Sequence, residues 1–378
     1  MIKIVEVISD ANIGGAGRLL VNKIKNSNKG LFKYIVVLPR DSDLILPLRA
    51  CGATIVEIDA CKNKSLDLKG IFKLYKIIKD ISPDVLNSHA CISSRIAGKL
   101  AGVSVNMYTR HCDFPVKKIF VVPAINYIFK EMNNFLSDGI IAVSDSAKRN
   151  LLMLGAPSKK IKVIVNGAEA IPLLKDEKKK KIKAELNIPA DAIVVGIFAR
   201  LEVYKDHKTF LRAAKLLEKN KNIYFIIVGS GTIENELKEY SKRLGINKRV
   251  IFSGFVDDIS DMMNITDINV NCSIGTETSS LALSEGMSLG IPAIASDYAG
   301  NRYIVKDRVN GLIFRQRNYV DLAEKILFLV KNKSIYDEFS INARNRFLSE
   351  LNAKNMTKKT EKYYIYLLKK KGIFNDFL

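Results

Sequence analysis

The chain is expected to fold as two similar doubly wound α/β domains with a cleft between them. Three observations predict this. Short apolar runs alternate with helical patterns along all 378 residues. The alternation breaks once, near residue 170, and then restarts. Glycine-rich turns follow several of the apolar runs. Parallel sheets with helical crossovers produce such alternation, and their ligands sit beyond the carboxyl ends of the strands.

In the first half, strands are expected at Lys3–Ile8, Tyr34–Leu38, Thr54–Ile58, Asp84–Asn87, Asn106–Thr109 and Gly139–Val143. A helix over Leu68–Ile81 follows from its apolar spacing. The first strand runs into Gly14-Gly15-Ala16-Gly17-Arg18 and an apolar helical run. Gly15 and Gly17 either let the backbone approach a ligand or make a plain strand-to-helix turn. The third glycine of a dinucleotide fingerprint is missing, and so is a P-loop. Residues 117–136 are apolar, aromatic and basic-headed. They are too short and interrupted to span a bilayer, which leaves a membrane-interface segment or, preferred here, a buried helix on the sheet. His89 and His111 each follow a strand, where imidazole can meet a substrate oxygen, although lone histidines are more often structural.

Residues 171–183, IPLLKDEKKKKIK, read as a charged connector whose lysines form a solvated face. A second series of strands follows at Ile193–Phe198, Tyr224–Val228, Val250–Phe252, Ile268–Asn271, Pro292–Ala295 and Gly311–Phe314. Arg200 and Lys205, after the first of these, could clamp a diphosphate. Gly229 and Phe255 end two later strands. In ETSSLALSEGMSLGIP, Glu277 and Glu285 flank Ser279-Ser280, which begin a helix at Leu281. Free N–H groups and a partial positive charge suit such a helix start to a phosphate, with a carboxylate on either side to grip hydroxyls. The same spacing also fits an amphipathic helix with two solvated glutamates. Lys354–Lys371 reads as one amphipathic helix closing the chain.

The charge is +21, from 60 basic and 39 acidic residues spread over both halves. Such a surface favours phosphates, anionic lipid or nucleic acid, or else reflects a Lys-rich composition. No nucleic-acid recognition module is visible. Five scattered cysteines without a CxxC fit a reducing cytosol and argue against zinc or a disulfide framework. MIKIVEVISD reads as a strand rather than a signal peptide.

Taken together, GGAG at 14–17, SDGIIAVSDSAKRNLLMLGAPSKKIKVIVNGAE at 137–169, ARLEVYKD, Glu277-x7-Glu285 with Gly290-x-Pro292, DYAGN and DRVNGLIF resemble the retaining glycosyltransferases of the GT-B fold, family 4. The resemblance runs from the first strand to the closing helix. It implies an acceptor-side domain over 1–170, a nucleotide-sugar domain over 171–353, and a helix at 354–378 crossing back onto the first domain. Arg200 and Lys205 would hold the diphosphate of the donor, a UDP-sugar by default. Glu285 would bind ribose, Glu277 the transferred sugar, and His111 would face that sugar. Ser279, Ser280, Leu281, Gly15 and Gly17 would complete the phosphate cradle, with Gly229 and Phe255 also lining the donor.

No metal and no cofactor beyond the nucleotide sugar is implied, and the isolated Asp41-x-Asp43 is discounted as a metal site. The acceptor would be a surface glycan: lipopolysaccharide, capsule or a lipid-linked oligosaccharide. Loops 40–50, 60–68 and 112–120 would choose it. The enzyme would be cytoplasmic, or peripheral on the inner face of the cytoplasmic membrane. Ser279-Ser280 replaces a frequent Phe-Gly, and Tyr303 replaces a frequent glutamate, which bears on sugar identity more than on reaction class. Alternatives are a sugar-nucleotide epimerase or hydrolase of the same architecture and, more remotely, a nucleic-acid-binding protein.

Overall fold

A computed structural model describes residues 1–9, 11, 13–59, 67–89, 91–113, 116 and 122–374. The chain forms two compact units, Met1–Gly167 with Ala353–Leu378, and Ala168–Asn352.

The first unit is built on a parallel sheet of seven strands: β1 Ile2–Ile8, β2 Phe32–Pro39, β3 Thr54–Ile58, β4 Val85–His89, β5 Val105–Arg110, β6 Gly139–Ala142 and β7 Ile161–Val163, in the order β3-β2-β1-β4-β5-β6-β7. β7 is absent from the expected strands. It has only three residues, its central Lys162 is exposed, and it pairs with β6 alone. Alternation along β1 divides its side chains. Val5 and Val7 pack with Leu74, Ile78 and Leu86, while Ile4, Glu6 and Ile8 are fully buried on the other face.

That second face is covered by the first helix, Gly15–Lys25, and the closing helix, Ala353–Lys370. The closing helix buries Tyr364, Leu367 and Leu368. A Cβ on Gly139 would lie 2.5 Å from Leu367 Cδ1 and 2.8 Å from Tyr363 Oη, so a side chain on β6 here would require both helix side chains to shift.

One expectation in this unit is corrected. The helix Pro123–Leu136 is not buried on the sheet: among its residues only Asn133 and Leu136 are buried, and Tyr127, Ile128 and Phe135 are 61%, 65% and 64% exposed. The reason is its polar anchorage. Asn126 Nδ2 donates to Met153 O at 2.8 Å, Arg95 donates to Asn133 Oδ1 at 2.9 Å, and the helix backbone seats against Gly155. The helix therefore turns its apolar residues outward. Residues 60–66, 114, 115 and 117–121, which include parts of the expected acceptor loops and the head of this segment, lie outside the described residues.

The second unit has a six-stranded parallel sheet: β8 Ile193–Phe198, β9 Ile223–Val228, β10 Val250–Gly254, β11 Ile268–Asn271, β12 Ala293–Ser296 and β13 Gly311–Phe314, in the order β10-β9-β8-β11-β12-β13. The lysine-rich connector is in part a helix, Asp176–Glu185, that buries Ile182 against this unit. The backbone before it is pinned by Ile171 N donating to Ser288 Oγ and Leu174 N to Asn264 Oδ1, both at 2.9 Å.

At the start of the helix His207–Leu216, the His207 ring is fully buried and neither nitrogen has a partner. Burial, reinforced by Lys205, pushes its pKa from 6.5 down to about 3. Because the folded-state value lies below the unfolded one, the neutral ring's contribution is complete above about pH 6.5. It is lost as pH falls toward about 3. Between about pH 7 and 4.5 this group alone is expected to remove about 2–3 kcal/mol. Urea unfolding of the wild type and His207→Leu at both pH values checks this: the variant should lose that much less stability.

Candidate functional site

In the second unit the strand order reverses between β8 and β11, and ligand sites in such sheets form at this point, beyond the strand ends. The loop after β8 carries Arg200 and Lys205, and the loop after β11 carries Glu277. The two loops meet: Lys205 Nζ lies 2.5 Å from Glu277 Oε2, and Ile274 N donates to Tyr204 O at 2.9 Å. Asn271 Nδ2 and Ser273 Oγ donate to the same carboxylate oxygen at 3.3 and 3.2 Å. Among the described residues, Oε1 receives no hydrogen bond. Burial pushes the Glu277 carboxyl up, but the Lys205 ammonium and these hydrogen bonds prevail and hold it below the usual carboxylate range. It is an ionised acceptor at neutral pH.

A second layer of polar groups holds this arrangement. Asn301 Nδ2 donates to Asn271 Oδ1 at 3.3 Å and to Ser296 Oγ at 3.0 Å, and Ser296 Oγ donates to Ser273 O at 2.6 Å. Gly300 N donates to Glu277 O at 3.2 Å. A Cβ on Gly300 would stand 1.7 Å from Thr278 O, so no other residue fits there. Gly229 has φ +137°, and a Cβ there would stand 2.2 Å from Ala199 O, which makes it the close-approach glycine beneath the Arg200 loop.

Arg200 is exposed, and its guanidinium carbon lies 6.0 Å from the Tyr204 ring centre, with Lys205 Nζ 5.6 Å from the same centre. The two expected phosphate-binding cations thus converge on one ring. Lys205 is held by Glu277, and Arg200 faces solvent.

Ser280 caps the helix Leu281–Ser288, accepting from Leu283 N at 3.4 Å, and leaves N–H groups at the helix start for a ligand. The Ser279 hydroxyl beside it is buried and has no hydrogen-bond partner. Leu281 and Glu285 are half-buried on the helix, and Phe255, beyond β10, is 62% exposed.

The remaining expected residues lie in the first unit. Gly15 opens the first helix with no atom within 4 Å of a Cβ placed on it. At Gly17 a Cβ would lie 2.6 Å from Leu44 Cδ2, so this glycine serves helix packing. His111 is half-buried after β5, and its Nε2 lies 2.7 Å from His89 Nδ1. Burial, with the neighbouring His89 and Lys23, pushes its pKa well down. A cavity of about 30 Å³ adjoins the pair, lined by polar Lys23, Thr109, Asn166 and Thr360 among apolar side chains.

Two family models match the chain nearly end to end. Glycosyltransferase Family 4 matches residues 13–170, and glycosyl transferases group 1 matches residues 178–346. The chain is a family 4 glycosyltransferase. It is similar to the Escherichia coli UDP-Gal:alpha-D-GlcNAc-diphosphoundecaprenol alpha-1,3-galactosyltransferase, with 29% identity over 323 residues, 81% of each chain. It also resembles the N,N'-diacetylbacillosaminyl-diphospho-undecaprenol alpha-1,3-N-acetylgalactosaminyltransferase of Campylobacter jejuni, with 26% identity over 86% of this chain and 88% of that one. Among solved structures, Anabaena HepE in complex with UDP superposes with a TM-score of 0.83 at 20% identity, over 96% of this chain and 99% of that one. The fold is GT-B, and the chemistry is glycosyl transfer from a nucleotide sugar.

Within this transferase, Tyr303 donates from its hydroxyl to Glu350 Oε2 at 3.2 Å, with the Lys306 and Arg346 cations near its ring. Four groups that build the Glu277 site, Asn271, Ser273, Ser296 and Asn301, are missing from the expected site residues. Their sequence signal is small polar side chains at and just beyond the carboxyl ends of β11 and β12.

Removing Lys205 would leave Glu277 buried with only Asn271 and Ser273 as partners. Lys205→Met is therefore expected to cost about 3 kcal/mol, and adding Glu277→Gln in that background should restore most of it. Urea unfolding of the two single variants and the double variant measures both effects.

Proposed function

We propose that the transferase moves a hexose from a UDP-sugar onto a lipid-linked diphosphate glycan during surface-polysaccharide assembly, with retention of anomeric configuration. The observation that carries the donor half is the Lys205–Glu277 pair at the switch point of the second sheet, next to the free N–H groups at the Ser280-capped helix start. An ammonium and the helix start can share the diphosphate charge. An ionised carboxylate oxygen with no donor among the described residues can accept from a sugar hydroxyl. Arg200, exposed beside Lys205, would add a second cation to the leaving UDP, and Glu285 would take the ribose hydroxyls. The donor base and the lipid-linked acceptor class are supported by the E. coli relative, a galactosyltransferase that uses UDP-Gal and a diphosphoundecaprenol glycan.

Thermal shift with nucleoside diphosphates tests the donor site. UDP at about a hundred times its dissociation constant should add about 2.7 kcal/mol of stability. Glu285→Ala should abolish the shift while remaining folded. A larger shift with GDP or ADP would overturn the choice of base, and no shift with any nucleotide would sink the donor-site assignment.

The acceptor implies work at a membrane surface. Among the described residues no helix is long and apolar enough to cross a membrane. The outward face of Pro123–Leu136 instead offers Tyr127, Ile128 and Phe135, with Lys99 Nζ 4.8 Å from the Phe135 ring centre. Apolar side chains bordered by lysine suit an anionic interface. Flotation with anionic vesicles at moderate salt should carry the wild type upward and leave Ile128→Asp/Phe135→Asp behind. A wild type that stays at the bottom would remove the membrane part and leave the chemistry standing.

A further inference from the structure

The loop that delivers Glu277 takes an unfavourable backbone path. The chain leaves β11 at Asn271, and the Glu277 carboxylate comes back to accept from Asn271 Nδ2 and Ser273 Oγ, so the loop reverses on itself. A left-handed residue stands within it: Thr276, directly before Glu277, has φ +50°. Among the described residues with positive φ, Thr276 is the only β-branched one. Two substituents on Cβ crowd the backbone in this region, which makes such a residue a strained outlier. Strain of this kind persists only where the surrounding contacts over-determine it.

Tyr298 supplies that contact. Its hydroxyl accepts from Thr276 N at 3.2 Å, and among the described residues Thr276 makes no other hydrogen bond. Tyr298 lies in the turn after β12, where Ala299, at φ +32°, separates it from Gly300. Gly300 N donates to Glu277 O at 3.2 Å. One turn thus grips Glu277 from both sides, through the amide of the residue before it and through its own carbonyl. Upstream, the loop is fixed by Ser273 N donating to Asn271 Oδ1 at 3.0 Å and Ile274 N to Tyr204 O at 2.9 Å. We propose that Tyr298 is a positioning residue whose hydroxyl locks Thr276 in the left-handed conformation and so turns Glu277 into the site. Without that acceptor, Thr276 would carry both a crowded side chain and an unpaired, half-buried amide. Leaving the left-handed region relieves the crowding and lets the amide reach water. That Glu277 meets the transferred sugar rests on the functional reading above, whereas the lock rests on backbone geometry alone.

Tyr298→Phe in the full chain keeps the ring and removes the acceptor. Its crystal structure is expected to show Thr276 outside the left-handed region and Glu277 Oε2 beyond hydrogen-bonding distance of Asn271 and Ser273. The kinetic probe is whichever of UDP-Glc, UDP-Gal, UDP-GlcNAc and UDP-GalNAc the wild type binds most tightly. With it, kcat for UDP release should fall about 10- to 100-fold, with a smaller change in the affinity for UDP. Glycine takes a positive φ without crowding. Adding Thr276→Gly to the Tyr298→Phe background should therefore return Glu277 to its place and recover most of kcat. A general loosening of the fold would not be repaired by a glycine. A Tyr298→Phe structure with Thr276 and Glu277 unmoved would overturn the proposal, and so would a double variant no more active than Tyr298→Phe alone. If Glu277→Gln transfers at the wild-type rate, or no UDP-sugar binds, the sugar-binding role of Glu277 fails, while the structures still judge the lock separately.

Discussion

Both units are organised around the cost of burying a carboxylate at the end of a parallel sheet. Glu6 and Glu277 are among the most enclosed acidic groups in the chain, and each is met by a lysine at 2.5 Å. A buried carboxylate without a partner costs several kcal/mol, and the pairing offsets this only if the remaining lone pairs are also satisfied. In the second unit, that requirement draws Lys205 in from one loop, Asn271 and Ser273 from the end of β11, and Ser296 and Asn301 from the next turn. Gly300 is the point where these segments touch most closely. In the first unit, the same requirement ties the opening strand to the first helix through Lys23 and to the closing helix through Tyr364.

This construction has a chemical consequence. Groups locked by several hydrogen bonds need little reorganisation when charge develops on a leaving nucleotide, which is how electrostatic preorganisation lowers a barrier. Glu277 is held through one oxygen, and the other has no donor among the described residues. Lys205 is held while Arg200, over the same tyrosine ring, faces solvent. Under the proposed donor reading, the fixed cation would set the field of the site and the exposed one would follow the ligand.

The strands were legible because parallel sheets buried on both faces require continuous apolar runs. β3, β8, β11 and β13 have the expected bounds, and most of the others differ by a residue or two. β7 escaped because a three-residue edge strand with a central lysine has no such run. The helix Pro123–Leu136 was misjudged because its apolar content suggested burial. Which face a helix buries also depends on whether its polar side chains find partners, and Asn126 and Asn133 do.

Within the site, the sequence by itself determined the residue types. Arg200, Lys205, Glu277, Ser279, Ser280 and Glu285 stand out by their order at strand ends and by their resemblance to family 4. Tertiary structure alone decided which of them meet. The Lys205–Glu277 pair spans 72 positions and exists because β8 and β11 are neighbours in the sheet. Glu6 sits inside an apolar run and gives no local sign of its partners, which lie up to 358 positions away at Tyr364. Periodicity reports which face a residue occupies. Strand order and the balance of buried charge decide what it finds there.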